Sequence, residues 1–318
     1  MNISIRPVTQ NDIRQVIAVW NRSLPLDAVT IDEFERKIIL DENFDPGTVL
    51  VATQNGNVIG FVVGMYARRV LLGDHDPENK RSWITAFAVS PESRTAGVGK
   101  KLITTLLREF HTRGKSECYV SSYAPGYFTP GIDVKEYEAG VSLLKSLGFI
   151  EDSHLLSMDA SIVQYKIDRE VLEKEERLKS EGIVIRQYER DDLIPFLAFM
   201  ENEMPYDWLR IARRNLGDLT RGLFRLDQIF VVTRGVTVIG YCQYEGSHFG
   251  PFGVASAYQG KGIGTVLLAR TIERMRMRGL HNAWVMWTDD TAARVYGKLG
   301  FSETRRFVIL KKHLTKSD

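Results

Sequence analysis

Short apolar runs and amphipathic stretches alternate along this chain, and the whole series occurs twice. Ile3–Arg6 reads as a strand, and helical spacing follows near Asp12–Trp20 and Ile31–Ile39. TVLVATQ and VIGFVVGMY flank Asn55-Gly56, a dipeptide suited to a type I′ hairpin turn. Trp83–Val89 predicts a further strand. A glycine-rich turn then opens an amphipathic helix with apolar positions Val98, Leu102, Ile103, Leu106, Leu107 and Phe110, which Gly114 stops. A strand over Glu117–Ser121, a helix over Ala139–Leu147 and a strand after Gly148-Phe149 complete the series.

The second series opens with Ile183–Arg186, with helices near Asp191–Glu201 and Asp207–Leu216. IFVVT and VIGYCQY form a hairpin around Arg234-Gly235, and His248–Val254 is the next strand. Ile263, Leu267, Leu268, Ile272 and Met275 mark the amphipathic helix, which Gly279 stops. A strand (Ala283–Thr288) and a helix (Thr291–Leu299) follow. The order β-α-α-β-β-β-α-β-α-β predicts an α/β fold, a mixed sheet with helices on both faces.

The two series align residue by residue. An offset of 180 places Ile5, Arg6 and Asp12 on Ile185, Arg186 and Asp192. At 165, Phe87, Val89, Gly97, Gly99 and Gly114 fall on Phe252, Val254, Gly262, Gly264 and Gly279. At 152, Gly148-Phe149 falls on Gly300-Phe301. The first copy therefore carries insertions of 15 and 13 residues, around Arg68–Trp83 and Ser121–Glu138. Such a period is too long for a solenoid and indicates duplication of a whole domain. The predicted boundaries are 1–162 and 183–318. Residues 163–182 form a charged linker helix, which Val171, Leu172 and Leu178 could dock and Gly182 ends.

Composition narrows the function. A length of 318 residues suits two domains with ordinary cores. A formal net charge of +2 argues against an obligate nucleic-acid binder. No apolar run reaches the roughly 18 residues of a membrane span, and MNISIRPVTQND lacks a secretory signature. Two cysteines, Cys118 and Cys242, exclude a disulfide framework and a thiolate zinc cluster, and suit the cytoplasm. No metal is expected.

The chemistry points to the glycine-rich turns. Arg94-Thr95-Ala96-Gly97-Val98-Gly99-Lys100 and Gln259-Gly260-Lys261-Gly262-Ile263-Gly264-Thr265 each lie between a strand and a helix start. Glycines let several backbone N–H groups point into one concavity, and the helix dipole adds positive potential, so the expected guest is a phosphate or pyrophosphate. Lys100, Lys101 and Lys261 add charge. Neither turn has Walker A spacing, and neither follows the first strand as a dinucleotide fingerprint does.

These turns resemble the [R/Q]xxGxG/A signature of the GNAT superfamily of acyl-CoA-dependent N-acyltransferases. The second copy extends the resemblance with Asp289-Asp290-Thr291-Ala292-Ala293-Arg294-Val295-Tyr296 and Gly300-Phe301, where the family often has NxxAxxxYxxxGF and Asp289 stands for Asn. Together the copies cover nearly the whole chain. The resemblance implies two tandem GNAT-like domains, each a mixed, mostly antiparallel sheet flanked by helices. It also implies acetyl-CoA as donor for a primary amine of a small molecule or peptide, in a monomer forming an internal pseudodimer.

The resemblance assigns roles to residues. Pyrophosphate would rest on the amides of residues 96–100 or 261–265, and pantetheine would run beside Phe87–Val89 or Phe252–Val254. Pro251 fits a strand edge without ladder bonds, and equally a bulge. An N–H near Val254 would polarise the thioester. Tyr296 would be the general acid, and His248, six residues before Val254, a general base titrating near its ordinary pKa of about 6.5. Glu245 with a water chain competes with His248. The acidic stretch Glu201–Trp208 would wall an acceptor site for a cationic amine, or simply cap a helix.

In the first copy Leu144 stands where Tyr296 does and Trp83 where His248 does. Its Tyr127-Phe128-Thr129-Pro130-Gly131-Ile132-Asp133 loop is similar to one in GNAT proteins associated with amino sugars. Tyr127 or Asp133 would then serve a different active site; the loop could equally cap an inactive pocket or form an interface. The expected location of the chemistry is the second copy. The alternatives are a non-catalytic CoA sensor, or an active first copy on a second-copy scaffold.

Overall fold

The computed structural model describes residues 3–68, 77–124 and 126–315. The first insertion, Arg68–Trp83, lies partly outside the described residues, as does Pro125 of the second.

Chain order is β1 (Ser4–Pro7), α1 (Ile13–Ser23), α2 (Ile31–Phe34), β2 (Val49–Gln54), β3 (Asn57–Tyr66), β4 (Arg81–Val89), α3 (Val98–Thr112), β5 (Glu117–Val120), β6 (Ile132–Asp133), α4 (Glu138–Ser146) and β7 (Ile150–Ser161). It continues as α5 (Arg169–Ser180), β8 (Ile183–Gln187), α6 (Leu193–Glu203), α7 (Tyr206–Thr220), β9 (Ile229–Arg234), β10 (Thr237–Glu245), β11 (His248–Val254), α8 (Ile263–Met277), β12 (Asn282–Thr288), α9 (Asp290–Gly297) and β13 (Ser302–His313). Both copies of the expected series are present. The helix expected over Ile31–Ile39 becomes a wider π turn after Phe34.

Two compact units divide the chain. One holds Met1–Leu155 with Arg306–Asp318, the other Leu156–Arg305. The contiguous boundaries expected from the sequence differ from these units at the last strands. The chain leaves the first unit inside β7 and returns to it inside β13. The linker helix α5 belongs to the second unit: Val171 and Leu178 are buried, Leu172 is exposed, and Glu175 pairs with Arg270 at 2.6 Å.

In the first unit the sheet order is β1-β2-β3-β4-β5-β13. Among the described residues of this unit only β4 and β5 run parallel, over Arg81–Ile84 against Glu117–Val120; β13 pairs antiparallel with β5, Leu310 opposite Val120. Strand alternation sorts side chains between two faces. Val49, Val51, Phe61 and Val63 join Val16 and Trp20 of α1 on one face, while Leu50, Ala52 and Val62 join Leu102, Leu106 and Phe110 of α3 on the other. Gly64 permits that approach, since a Cβ there would meet Leu106 Cδ1 at 2.7 Å. Asn55 and Gly56 both have positive φ (52° and 82°), as the type I′ hairpin requires.

The second unit repeats this plan as β8-β9-β10-β11-β12-β7, with β11 and β12 parallel and Asn282 of β12 opposite Ser161 of β7. Its core is one cluster including Phe196, Tyr241, Phe249, Leu267 and Ile272. Both cysteines are buried. No helix among the described residues is long and apolar enough to cross a membrane.

Candidate functional site

The first unit's site begins where two strands part. Pairing of β4 with β5 ends at Ile84 and Val120. The Ser121 amide still donates to the Ile84 carbonyl (2.7 Å), but Ser121 and Ser122 then take positive φ (63° and 57°) and turn the chain away. From Thr85 to Val89, β4 keeps only β3 beside it. A cavity of about 590 Å³ opens along this edge.

One end of the cavity is the first glycine turn, where Gly97 takes φ 72° and starts α3. A Cβ on Gly97 would meet no atom within 4 Å, so the cradle is open. The first amides of α3 have no carbonyl one turn earlier to bond, which leaves them for an anion. Phe87, Val89, Arg94, Gly97, Gly99 and Lys100 line the cavity. Arg94 Nε donates to the Val89 carbonyl at 3.3 Å. Ala96 is exposed beside them, and the Val98 side chain points into the core.

The remaining walls come from α1, the following turn, the second insertion and α4. Trp20 stacks on Phe61 (5.1 Å) and meets Phe128 edge-on (4.8 Å). Lys37 holds the insertion from behind. It donates to the Tyr127 carbonyl at 3.0 Å and lies 4.7 Å over the Phe128 ring, and desolvation lowers its pKa. Tyr127 and Asp133 do not line the cavity. Burial raises the Tyr127 phenol, and the Asp133 carboxylate accepts from the Lys135 and Glu136 amides (both 3.0 Å). Trp83 packs on Tyr123 at 5.4 Å, and Leu144 is core.

Asp27 and Tyr137 also line this cavity, and the Tyr137 hydroxyl donates to Asp27 Oδ2 at 2.8 Å. Sequence reasoning passed over both. A signal for Asp27 was in the repeat register, where an offset of 180 carries it onto Asp207; Tyr137 lies in the second insertion, which has no counterpart in the second copy.

The second unit has the same backbone plan, with side chains crowding its groove at two glycines. β11 and β12 pair only at His248 and Trp284, so Phe249–Val254 has an open edge. A Cβ on Gly253 would meet Met204 Sδ at 2.5 Å and Trp208 Cζ3 at 3.2 Å. Gly262 takes φ 83°, and a Cβ there would meet Lys174 Cδ at 2.6 Å; Phe252 packs on Gly264, with Cζ at 3.1 Å from its Cβ position. Gln259 donates to the Val254 carbonyl (3.2 Å), and Lys261 lies 5.2 Å over Tyr258. Gly260 has φ 77°, Ile263 is core and Thr265 is half-buried. Gly250 and Pro251 form a bulge in β11, two residues opposite the single Gln243 of β10.

Asp289 caps α9, accepting from the Thr291 and Ala292 amides at 2.8 Å. Tyr296 is 5% exposed among Phe249, Phe252 and Phe301, and burial raises its phenol above the ordinary range. His248 packs on Trp284 at 4.4 Å. Burial lowers its pKa to about 4, well below the ordinary value on which a neutral-pH base would depend. Glu245 is exposed, and Glu203 accepts from the Ser256 amide at 3.0 Å. Among the described residues no group of three or more His, Cys, Asp or Glu could hold a metal ion.

Residues 14–125 match a family model described as the acetyltransferase (GNAT) family, and residues 225–303 one described as an acetyltransferase (GNAT) domain. An acetyltransferase of Pectobacterium atrosepticum is 30% identical over 115 residues, 35% of this chain and 70% of the relative. A GCN5-related glucosamine N-acetyltransferase region of a fungal multi-domain GH3 β-N-acetylglucosaminidase superposes on 98% of this chain with TM-score 0.82 and 17% identity; this chain spans 38% of that one. A tandem GNAT protein from the clavulanic acid biosynthesis pathway matches along the full length of both chains with TM-score 0.62 and 13% identity. At these identities the structural likeness is one of fold.

Proposed function

Since the chain belongs to the GNAT acetyltransferase family, we propose that it transfers the acetyl group of acetyl-CoA to a primary amine, with the donor in the cavity of the first unit. The observation that carries this reading is the open cavity along Thr85–Val89, ending at an uncovered Gly97. Its volume of about 590 Å³ is that of a small-molecule site. The donor supplies an acetyl group activated as a thioester.

The chain's own residues bind and orient it. Amides of residues 97–100 and the helix dipole hold phosphate oxygens, and Arg94 and Lys100 add positive charge. The unpaired edge of β4 offers backbone groups to an extended, amide-bearing chain, as an added strand would use them. The walls formed by Trp20, Phe87 and Phe128 keep water from the thioester.

The second copy acts as scaffold in this reading, which departs from the sequence expectation of chemistry there. Met204 and Trp208 crowd its groove at Gly253, and Lys174 at Gly262. Support for an amino-sugar acceptor comes from the fungal glucosamine N-acetyltransferase region and from the Tyr127–Asp133 loop, and the class tested first is a small cationic amine.

Calorimetric titration of the full chain with acetyl-CoA tests the reading. The expected result is one site, lost in Gly97→Val and retained in Gly262→Val. One site lost only in Gly262→Val would transfer the donor to the second unit. Absence of binding would remove the donor from the function altogether.

A further inference from the structure

The charges lining the first unit's cavity are divided between its ends. Among the described residues, the lining cations are Arg22, Arg94 and Lys100, and the lining carboxylates are Asp27 and Glu136. Arg94 and Lys100 flank the glycine turn. Arg22 pairs at 3.4 Å with Glu92, in the segment Pro91–Ala96 that leads into that turn.

The carboxylates lie farther from the glycine turn, as the course of α4 indicates. Leu143 abuts Gly99, with its Cδ2 2.9 Å from the Cβ position there, and Phe87 Cζ lies 3.4 Å from a Cβ on Gly140. Traced backwards, the helix therefore runs from the glycine turn along β4. Tyr137 precedes Gly140 by three residues, about 4.5 Å farther from the turn. Its hydroxyl bonds Asp27 there, and Glu136 is its neighbour in sequence.

Asp27 is also fixed from the other side. Its carbonyl accepts from Trp20 Nε1 at 2.7 Å, and Trp20 is 1% exposed. The carboxylate is half-buried and oriented before any ligand arrives, so pairing it costs little further ordering.

We propose that Asp27 is the acceptor-recognising residue of this site, taking the ammonium of a cationic primary amine, and that Tyr137 is the residue that positions its carboxylate. The proposal rests on the reading of this cavity as the donor site. The cavity then sorts its two substrates by charge, with phosphates at the Arg94–Lys100 end and ammonium at the Asp27 end. Attack requires the free amine: the ammonium releases one proton to solvent, the C–N bond forms as the C–S bond breaks, and a second proton of the nitrogen leaves with the thiolate as CoA thiol.

The test is thiol release from acetyl-CoA by the full-length protein with glucosamine, spermidine and phenethylamine as cationic acceptors and aniline as a neutral one. Donor affinity is measured in parallel. In Asp27→Asn the KM of an accepted cationic amine is expected to rise at least about tenfold, the loss of one charge-assisted bond. Donor affinity is the parallel readout, and the KM of aniline should rise by less than that of the cationic amine. Tyr137→Phe should raise the same KM by less. An unchanged KM in Asp27→Asn overturns the proposal, as does refusal of all three cationic amines by a protein that binds donor. Failure of wild type to bind donor is a separate outcome, seen in the titration alone, and overturns the underlying reading.

Discussion

The side chain of Lys174 lies across Gly262: a Cβ on that glycine would meet Lys174 Cδ at 2.6 Å, whereas one on Gly97, its equivalent in the first copy, would meet nothing within 4 Å. Two turns of matching sequence and similar positive φ therefore differ in access. Gly262→Ala should cost about 1–2 kcal/mol for the left-handed backbone alone, plus the displacement of Lys174. A double-mutant cycle with Lys174→Ala, read by chemical denaturation, should show a coupling of at least about 0.5 kcal/mol. Zero coupling would mean that Lys174 moves aside freely.

Tyr296→Phe should leave turnover within about twofold of wild type, because the reading puts the chemistry in the other unit. Steady-state thiol release checks it. A tenfold loss of turnover with intact donor binding would return the reaction to the second unit, with Tyr296 as its acid.

His248 should make stability depend on acid. Its folded pKa, about 4, lies below its ordinary value of 6.5. The buried neutral ring therefore stabilises fully above pH 6.5, and that contribution falls as pH drops toward 4. The slope from this single group is at most about 1.4 kcal/mol per pH unit. His248→Leu should flatten denaturation midpoints over that window, and an unchanged slope would show that the ring is more hydrated than its packing on Trp284 indicates.

The repeated arginine–aspartate pair should matter equally in both units. Arg6 bonds Asp12 through two nitrogens at 2.6 and 2.8 Å, and Arg186 bonds Asp192 likewise at 2.7 Å. Each arginine holds its carboxylate below the ordinary 3.8, so the stabilisation is present above that pH and is lost as pH falls below it. Asp12→Asn and Asp192→Asn should each cost about 1.5–3 kcal/mol at neutral pH, read by denaturation. A difference of more than twofold between them would break the equivalence of the copies.

A fragment of residues 183–318, cut where the repeat begins, should fail to melt cooperatively. It lacks Leu156–Ser161, the strand against which β12 pairs in the second unit. A fragment of residues 156–305 contains that unit whole and should melt cooperatively. The reverse ranking in calorimetric scans would show that β13 can serve the second unit as well as β7 does.

The chain order of amino acids alone determined the features whose causes are local. The duplication, the Asn55-Gly56 hairpin, the glycine starts and stops of α3 and α8, and the element order all rest on backbone geometry and periodicity within a few residues. The Arg6–Asp12 spacing belongs with them. What tertiary structure decided depends on contacts between distant segments. An alternating apolar strand satisfies either copy's sheet, so the pattern of β7 and β13 does not say which one each completes. Tyr137 and Asp27, 110 residues apart, meet only once α4 and the turn after α1 are packed. The two glycine turns look alike as sequence. Their difference comes from Lys174, a long side chain brought from α5, whose packing decides which cradle stays open.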